Sequence, residues 1–208
     1  MTGHCRIVLM FLLLLSICFP VQAFDYDLHG FLTASAGYHA GDDLYWMGYE
    51  GEELNLDYDS VLGLQLDTRL TNDMAFTGQL ILSGLESYEP KMGWAYLSLN
   101  LNRSTTIRLG RSRSPTFLYS DNFEVGYTYP WVRPPDEVYW QIPTPYIDGV
   151  ELLYRRPLEE YDLTLYAVAG TLEELAFGLP FKMKAASAYA LVGYQDLQVR
   201  LSYSTVSM

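Results

Sequence analysis

Apolar and polar residues alternate along this chain in segments of about ten positions, a pattern typical of β-strands. The clearest segment runs from 26 to 38. One face of that segment carries Tyr26, Leu28, Gly30, Leu32, Ala34, Ala36 and Tyr38, and the other carries Asp27, His29, Phe31, Thr33 and Ser35. A strand rises by about 3.3 Å per residue, so a strand of this length tilted by about 40° spans roughly 30 Å. That distance is the thickness of the hydrocarbon core of a bilayer. The pattern predicts strands with one face toward lipid and one toward water.

The N-terminus helps to choose between this interpretation and a soluble β-sandwich, whose strands alternate in the same way. Residues 1–23 combine His4 and Arg6 with an apolar run from 7 to 19 and a predicted cleavage after Ala23. The apolar run is shorter than the roughly 20 residues of a spanning helix. It therefore predicts a cleaved secretion signal and an exported protein.

The composition of the chain argues against several classes of site and of binding partner. Both cysteines, Cys5 and Cys18, lie in the predicted signal, so the mature chain has no thiol for a disulfide, a zinc cluster or a nucleophile. The chain is 50% hydrophobic with 18 tyrosines, yet no later apolar run is long enough for a membrane helix. A net charge of −12 argues against nucleic acid, which needs a basic face.

Nine strands are predicted, and the connections between them alternate in length. Long connections begin near His39, Leu85, Ser114 and Thr171, and short ones lie around Asn72, Asn102, Pro157 and Gln195. Outer-membrane barrels show this asymmetry, with short periplasmic turns and long external loops. The predicted fold class is therefore all-β, an antiparallel up-and-down transmembrane β-barrel.

The longest connection, residues 114–146, contains six prolines and many aromatic residues. The aromatic residues are Tyr119, Phe123, Tyr127, Tyr129, Trp131, Tyr139 and Trp140. Loops of this length are usually functional or disordered, and disordered segments are poor in aromatics. We expect this loop to pack against the rest of the protein, either folded inward or as a lid that seals the rim.

Three segments around this loop carry a resemblance to a known family. They are IRLGRSRSP at 107–115, VGYTYPWVRPPDEVY at 125–139 and DGVELLYR at 148–155. In these segments the chain resembles Gram-negative outer-membrane porins, and more narrowly the uncharacterised porins related to the phosphate-selective type. The resemblance covers 24–208 and implies that the loop at 114–146 folds into the barrel and narrows a pore. It also implies a homotrimer among outer-membrane lipid and lipopolysaccharide, passing small hydrophilic solutes.

Charged residues on and beside this loop are the candidates for a pore constriction. They are Arg108, Arg111, Arg113, Asp121, Glu124, Arg133, Asp136 and Glu137. Cations on a wall facing acids on a loop create a transverse field that sorts solutes by charge and dipole. Binding to lipopolysaccharide phosphates, or simple exposure to solvent, is the alternative role for the arginines.

Strict alternation creates a conflict within this set. It places Arg108 toward the lumen but puts Arg111 and Arg113 on the lipid side, where a mid-membrane arginine costs about 2 to 4 kcal/mol. Either the register breaks at Gly110, as glycine bulges allow, or the strand ends there.

Six further residues are expected to face the lumen on the polar sides of their strands. They are Asp27, His29, Asp67, Arg69, Glu151 and Arg155. His29 is a possible general base with Ser35 as nucleophile, but no G-x-S-x-G elbow, phosphate-binding loop or dinucleotide fingerprint is present. The acidic residues between 42 and 59 lack the spacing of an EF-hand. The sequence therefore predicts no enzyme, no cofactor and no metal.

The strand count bears on function. Nine strands are fewer than the roughly 16 to 18 of porins, so the expectation is the N-terminal part of a longer barrel of about 16 strands or more. The expected function is passive diffusion of small hydrophilic solutes or ions. The alternative is a non-channel outer-membrane barrel that acts as an adhesin or an envelope structural protein.

Overall fold

The computed structural model describes residues 25–38, 53–139, 146–176 and 179–207. The predicted signal at 1–23, most of the first long connection and residues 140–145 lie outside the described residues. Nothing in the described ranges forms a helix with the length and apolar character needed to cross a membrane.

The described chain forms one antiparallel sheet of nine strands. The strands are β1 Asp25–Thr33, β2 Val61–Arg69, β3 Met74–Ser83, β4 Lys91–Asn100, β5 Thr105–Arg113, β6 Tyr146–Leu158, β7 Tyr161–Ala176, β8 Leu179–Tyr194 and β9 Leu197–Ser207. Each strand pairs with the next one along the chain, so the order is β1 to β9 without a crossover. The predicted up-and-down topology is confirmed. Across the described residues the sheet is not closed between β1 and β9.

The strand register keeps the apolar residues of neighbouring strands on one face. Leu32 pairs with Leu62, which in turn pairs with Leu82, and the same side of β9 carries Leu201. Much of this face is open: Leu28 is 68% exposed and Leu201 is 77% exposed. A row of exposed leucines across a whole sheet is unfavourable in water but fits contact with hydrocarbon. We call it the outer face.

The opposite, inner face carries polar side chains that satisfy one another. Thr77 donates from Oγ1 to Oδ1 of Asp67 at 2.6 Å, and Gln65 donates from Nε2 to the other carboxylate oxygen at 2.7 Å. Gln79 in turn donates to Oε1 of Gln65 at 3.0 Å. Residues 67 and 77 are register partners, as are 65 and 79, so this network follows directly from the strand pairing. Buried polar groups of this kind are stable when each has a partner.

Two boundaries differ from the sequence prediction. β1 ends at Thr33 instead of continuing to Tyr38, because the backbone N–H of Ser35 donates to the side-chain Oγ of Ser60 at 3.0 Å instead of to a ladder carbonyl. Pairing resumes only at an isolated bridge between Gly37 and Asn55.

The predicted long connection near Thr171 is wrong. β7 continues to Ala176 and β8 begins at Leu179, and these two residues are register partners. The register pairs residues 173 to 176 of β7 with residues 182 to 179 of β8, so the strand pairing continues to the ends of both strands.

Both expectations for β5 at Gly110 are wrong, since the pairing with β4 and β6 runs through this residue without a shift of register. The strand does not end there, since pairing with β6 continues to Arg113 opposite Tyr146. Gly110 has φ +134°, and a Cβ at this position would lie 2.2 Å from the carbonyl oxygen of Ala95. Only glycine adopts such a conformation without strain. The backbone departs from regular strand geometry at this point, and beyond it Arg113 contacts the long connection rather than the lipid side.

Candidate functional site

Residues 114–139, called here the long loop, lie against the inner face of the sheet. At one edge, Arg200 of β9 donates from Nη1 to the carbonyl oxygen of Phe117 at 2.9 Å and from Nη2 to that of Pro115. At the other edge, a Cβ on Gly126 would lie 3.0 Å from Oγ1 of Thr33 in β1. Because β1 and β9 are opposite edges of the sheet, a single loop in contact with both requires the sheet to curve around it.

The long loop is an ordered unit with its own aromatic packing. The ring of Tyr139, in the short helix α1 (Asp136–Tyr139), packs against Phe117 at 5.1 Å and against Phe123 at 5.7 Å. Tyr119 makes an edge contact with Trp131 at 5.7 Å, and its backbone N–H donates to the Tyr139 hydroxyl at 3.1 Å. Two 3-10 turns, Ser120–Asn122 and Gly126–Thr128, and α1 supply local backbone hydrogen bonds. Five of the aromatics singled out in the sequence, Tyr119, Phe123, Tyr129, Trp131 and Tyr139, take part in this packing, whereas Tyr127 is exposed and Trp140 lies outside the described residues.

Arg113 joins the long loop to the strand from which it starts. Its guanidinium forms an ion pair with Glu124 and lies 4.8 Å from the ring of Phe123 and 5.3 Å from that of Tyr146. The Tyr146 hydroxyl donates to the other oxygen of Glu124 at 3.3 Å. The Arg113 side chain is only 6% exposed. This buried pair therefore fixes the first half of the loop against β5 and β6.

Arg133 holds the second half of the loop against the opposite part of the wall. Its Nη2 lies 3.4 Å from a carboxylate oxygen of Asp59, and its guanidinium lies 5.0 Å from the ring of Tyr58. Both partners precede β2. The sequence pattern marked Arg133 but gave no partner for it, because residues 59 and 133 are brought together only by the tertiary fold.

Arg108 faces the inner side, as alternation predicts. Its Nη1 lies 3.5 Å from Oε2 of Glu151, its register partner on β6, and its guanidinium lies 4.8 Å from the ring of Tyr96. The Glu151 side chain is 4% exposed, against 29% for Arg108. A carboxylate this enclosed depends on its cation, because a buried unpaired charge is strongly unfavourable.

Asp121 is an acid of the long loop whose pKa depends on Glu151 and Arg108. It keeps contact with solvent, yet the protein around it raises the pKa of its carboxyl by desolvation, and the negative charge of Glu151 raises it further. Arg108, Arg200 and Arg113 act in the opposite direction. Wall cations from β5 and β9 thus act electrostatically on the acid of the loop.

Arg200 is part of a stack across the last three strands. Its guanidinium lies 4.0 Å from the ring of Tyr189 on β8, and that ring stacks on Tyr166 of β7 at 5.0 Å with an interplanar angle of 8°. The stack presents the Arg200 guanidinium to the start of the long loop. Arg200 was not among the constriction candidates, although its place on the polar side of β9 is readable from the alternation.

The remaining constriction candidates are Arg111, Asp136 and Glu137. Arg111 forms a two-point ion pair with Asp148 of β6, at 2.8 and 2.7 Å. Glu137 lies exposed on α1, and Asp136 belongs to the same helix.

The predicted lumen residues form separate pairs along the sheet. His29 Nε2 lies 3.8 Å from Oδ2 of Asp67, whose register partner on β1 is Asp27. Arg69 pairs with Asp25 at 3.1 Å, and Arg155 lies on β6 opposite Thr164. In the part of the chain that the structure describes, no three His, Cys, Asp or Glu residues are grouped to hold a metal ion.

Comparison with known proteins gives a distant structural likeness. No family model matches the sequence, and no curated protein matches it. Among solved structures, the chain is similar to OmpTΔL8, a loop L8 deletion mutant of the outer membrane protein OmpT of Vibrio cholerae. The identity is 9% and the TM-score 0.40, over 88% of this chain and 70% of that one. A likeness at this level carries no argument about family or role, and the narrower resemblance to porins of the phosphate-selective type finds no support.

The expectation that the chain is not an enzyme is corrected. It rested on the absence of linear motifs, and the absence of a motif does not exclude catalysis. The fold also brings His29 and Asp67 together from two strands, a pairing that no motif along the sequence detects. A likeness at this level assigns no activity either. The exclusion is therefore withdrawn.

Proposed function

We propose that the protein forms the wall of a passive diffusion channel for small hydrophilic solutes or ions in a bacterial outer membrane, with the long loop as its constriction. The observation that carries the proposal is the course of this loop across the inner face, from Arg200 on β9 to Thr33 on β1. It places the loop acids Asp121 and Glu124 among wall arginines. Narrowing by an inward loop and a polar lining are the two features that such a channel needs.

The charges around the loop give the proposed constriction an electric field. Arg108 and Arg200 stand on the wall, and both act electrostatically on the carboxyl of Asp121 on the loop. In a narrow, protein-lined space these charges are poorly screened, so the field acts across the path of the solute. Small dipolar or charged solutes would be oriented by it, whereas bulky apolar solutes would be excluded by the polar lining.

The outer face supplies the other half of the proposal. Its exposed leucines, from β1 to β9, would contact outer-membrane lipid, and lipopolysaccharide would contact the rim. Export would depend on the signal predicted at 1–23. We propose the homotrimer of the porin resemblance as the assembly.

The experiment is conductance of the protein purified from outer membranes and reconstituted in a planar lipid bilayer. Discrete conductance steps with a reversal potential in a salt gradient are expected. A matched sample in which Arg108→Gln is introduced should keep the steps but shift the reversal potential toward cations. Folded protein that inserts without steps would contradict the channel. It would support the non-channel adhesin or envelope role instead.

A further inference from the structure

An open groove of about 430 Å³ lies on the outer face of the last four strands. Two rows of register partners across β6 to β9 line most of it: Leu152, Ala167, Ala188 and Tyr203 in one row, and Val150, Ala169, Ala186 and Thr205 in the other. The two middle strands contribute only alanine to these rows, whereas β6 and β9 contribute larger side chains. The groove is therefore a depression with an alanine floor two strands wide.

The width of the groove limits what it can hold. Neighbouring strands lie about 4.8 Å apart, so the backbones of β6 and β9, which are three spacings apart, are separated by roughly 14 Å. The side chains of Leu152 and Tyr203 take up part of this gap. A helix is about 10 to 12 Å across with its side chains and does not fit. An extended hydrocarbon chain fits, and it gains dispersion contacts with the alanine methyl groups.

A polar row crosses the sheet at one end of the groove. Lys184 is exposed and lies two positions beyond the groove floor on the same face of β8. Its register partners are Thr171 on β7 and Ser207 on β9, and both carry a hydroxyl group. The next partner in the row, Asp148, forms the two-point ion pair with Arg111. That pair has no net charge, so the net charge of the row is the positive charge of Lys184.

The residues beside the polar row confirm which face Lys184 occupies. Leu172 belongs to a buried apolar cluster on the inner face, and Met183 and Ala185 pack against the same cluster. Successive side chains of a strand point to opposite faces. Lys184, between Met183 and Ala185, and Thr171, next to Leu172, therefore lie on the outer face.

The position of Lys184 along β8 matches the polar boundary of a membrane. Tyr194 lies on the same face of β8 at the other end of the sheet, where its ring stacks on that of Tyr161 at 4.8 Å. Ten positions separate Tyr194 from Lys184. At about 3.3 Å per residue and a tilt of about 40°, they span roughly 25 Å, the height of the apolar band of an outer-membrane barrel. Lys184 thus lies at the level of lipid headgroups, and the groove lies beside it in the hydrocarbon layer.

We propose that the groove and the polar row bind one molecule of lipopolysaccharide through a phosphate and an acyl chain of its lipid A part. The phosphate oxygens accept hydrogen bonds from the Lys184 ammonium and from the hydroxyls of Thr171 and Ser207. The acyl chain runs along the alanine floor between Leu152 and Tyr203. Charge complementarity selects a phosphorylated lipid, because the positive charge of Lys184 stands directly at the head of the groove.

The end of the sheet at which Lys184 lies selects lipopolysaccharide over a phospholipid. The polar row lies toward the strand ends that carry the connections at 34–60 and 114–145. Long connections of outer-membrane barrels are external, and lipopolysaccharide forms the external leaflet of that membrane. The inference rests on the outer-membrane part of the proposed function and not on the channel. Binding of lipid A without conductance would overturn the channel and leave the site, whereas conductance without binding of lipid A would overturn the site alone.

The test is native mass spectrometry of the purified, folded protein, freed of lipid in detergent and titrated with bisphosphorylated lipid A. Dephosphorylated lipid A and phosphatidylglycerol are titrated in parallel. One lipid A per chain is expected, with each of the other two lipids bound at least tenfold more weakly. Equal binding of dephosphorylated lipid A would overturn the phosphate site, and equal binding of phosphatidylglycerol would overturn the choice of lipopolysaccharide. Oligomers that bind no lipid A would assign the groove to a second copy of the chain and overturn the proposal as well.

Variants then place the bound lipid. Lys184→Gln should weaken lipid A binding by roughly tenfold to a hundredfold, the usual effect of losing a charged hydrogen-bond partner. Ala188→Leu fills the groove without removing a charge and should weaken binding at least tenfold. The matched controls are Arg103→Gln, an exposed cation in the turn after β4, and Ala190→Leu, the next position on the same face of β8 but outside the groove. Both controls should leave binding unchanged, and wild-type affinity in folded Lys184→Gln or Ala188→Leu protein would overturn the proposal.

Discussion

Arg200 Nη1 donates a hydrogen bond of 2.9 Å to the carbonyl oxygen of Phe117, and this contact ties the last described strand to the start of the long loop. The two residues are 83 positions apart in the chain. The guanidinium of Arg200 also lies 4.0 Å from the ring of Tyr189. The position of the loop therefore depends on a side chain from a strand that follows it by three hairpins.

Replacement of Arg200 by Gln should loosen the start of the long loop. The shorter side chain cannot reach both carbonyl oxygens, and lost charged hydrogen bonds of this kind are worth about 1.5 to 3 kcal/mol each. Limited proteolysis of the folded protein should show cleavage within 114–139 at least tenfold faster than in the wild type. The control Arg69→Gln removes an exposed arginine that pairs with Asp25 and should not change the rate.

Arg108 and Glu151 should shift ion selectivity in opposite directions. Arg108→Gln removes a wall cation and should move the reversal potential toward cations, whereas Glu151→Gln should move it toward anions. Arg108→Gln should also lower the free energy of unfolding by about 1 to 3 kcal/mol, because Glu151 is left enclosed without its partner. Arg103→Gln, in the turn after β4, is the matched control and should change neither quantity. Shifts of the same sign for both site variants would remove the pair from the constriction.

Selectivity should change on mild acidification because of Asp121. Desolvation raises the pKa of this carboxyl, and Glu151 raises it further, so it takes up a proton at a higher pH than an ordinary aspartate near 3.9. Lowering the pH through the raised pKa removes a loop anion while the arginines stay charged, and anion preference should increase. The ionised carboxyl also costs folded-state stability at neutral pH, a cost lost as the pH falls through the raised pKa.

The variant Asp121→Asn isolates this effect. It should show the anion preference of the acidified wild type already at neutral pH, and its reversal potential should change less between neutral and mildly acidic pH. It should also unfold at no lower a temperature than the wild type at neutral pH, since the desolvated carboxylate is gone. An undiminished pH response in this variant would assign the effect to other carboxyls.

Gly110→Ala should destabilise the sheet. Its φ of +134° is unfavourable for alanine, and the added Cβ would meet the Ala95 carbonyl oxygen at 2.2 Å. Strain of this kind costs about 1 to 3 kcal/mol or more. Gly193→Ala is the matched control, because its Cβ would find its nearest neighbour at 3.8 Å, an ordinary contact. Urea unfolding of both variants in lipid vesicles should separate them; equal midpoints would mean that β5 relaxes around the new methyl group.

The strands and their faces could be predicted from the sequence, because a two-residue period acts locally. The inward position of Arg108 follows from the same alternation, and it holds because Ser98 and Glu151 flank it in register. The seventh connection could not be predicted in this way. There, charged residues such as Glu173 and Lys182 resemble a loop in the sequence but lie opposite each other in a hairpin.

The alternation of apolar and polar residues could not predict the partners of the site residues. Alternation states which face a side chain occupies, but not that Arg133 meets Asp59 or that Arg200 meets Phe117. These contacts depend on the curvature of the sheet and on the path of the loop. Gly110 was the point where local rules conflicted, and there the backbone adopts a conformation that only glycine accommodates easily.

The most direct test of the central claim is the single-channel conductance of the protein beside that of a variant in which residues 116–139 are replaced by a short Gly-Ser linker. The account predicts discrete steps in the wild type and clearly larger steps, with weaker ion selectivity, in the variant. Equal conductance in two folded, inserted proteins would contradict a constriction formed by the long loop, and the absence of steps from both would contradict the channel itself.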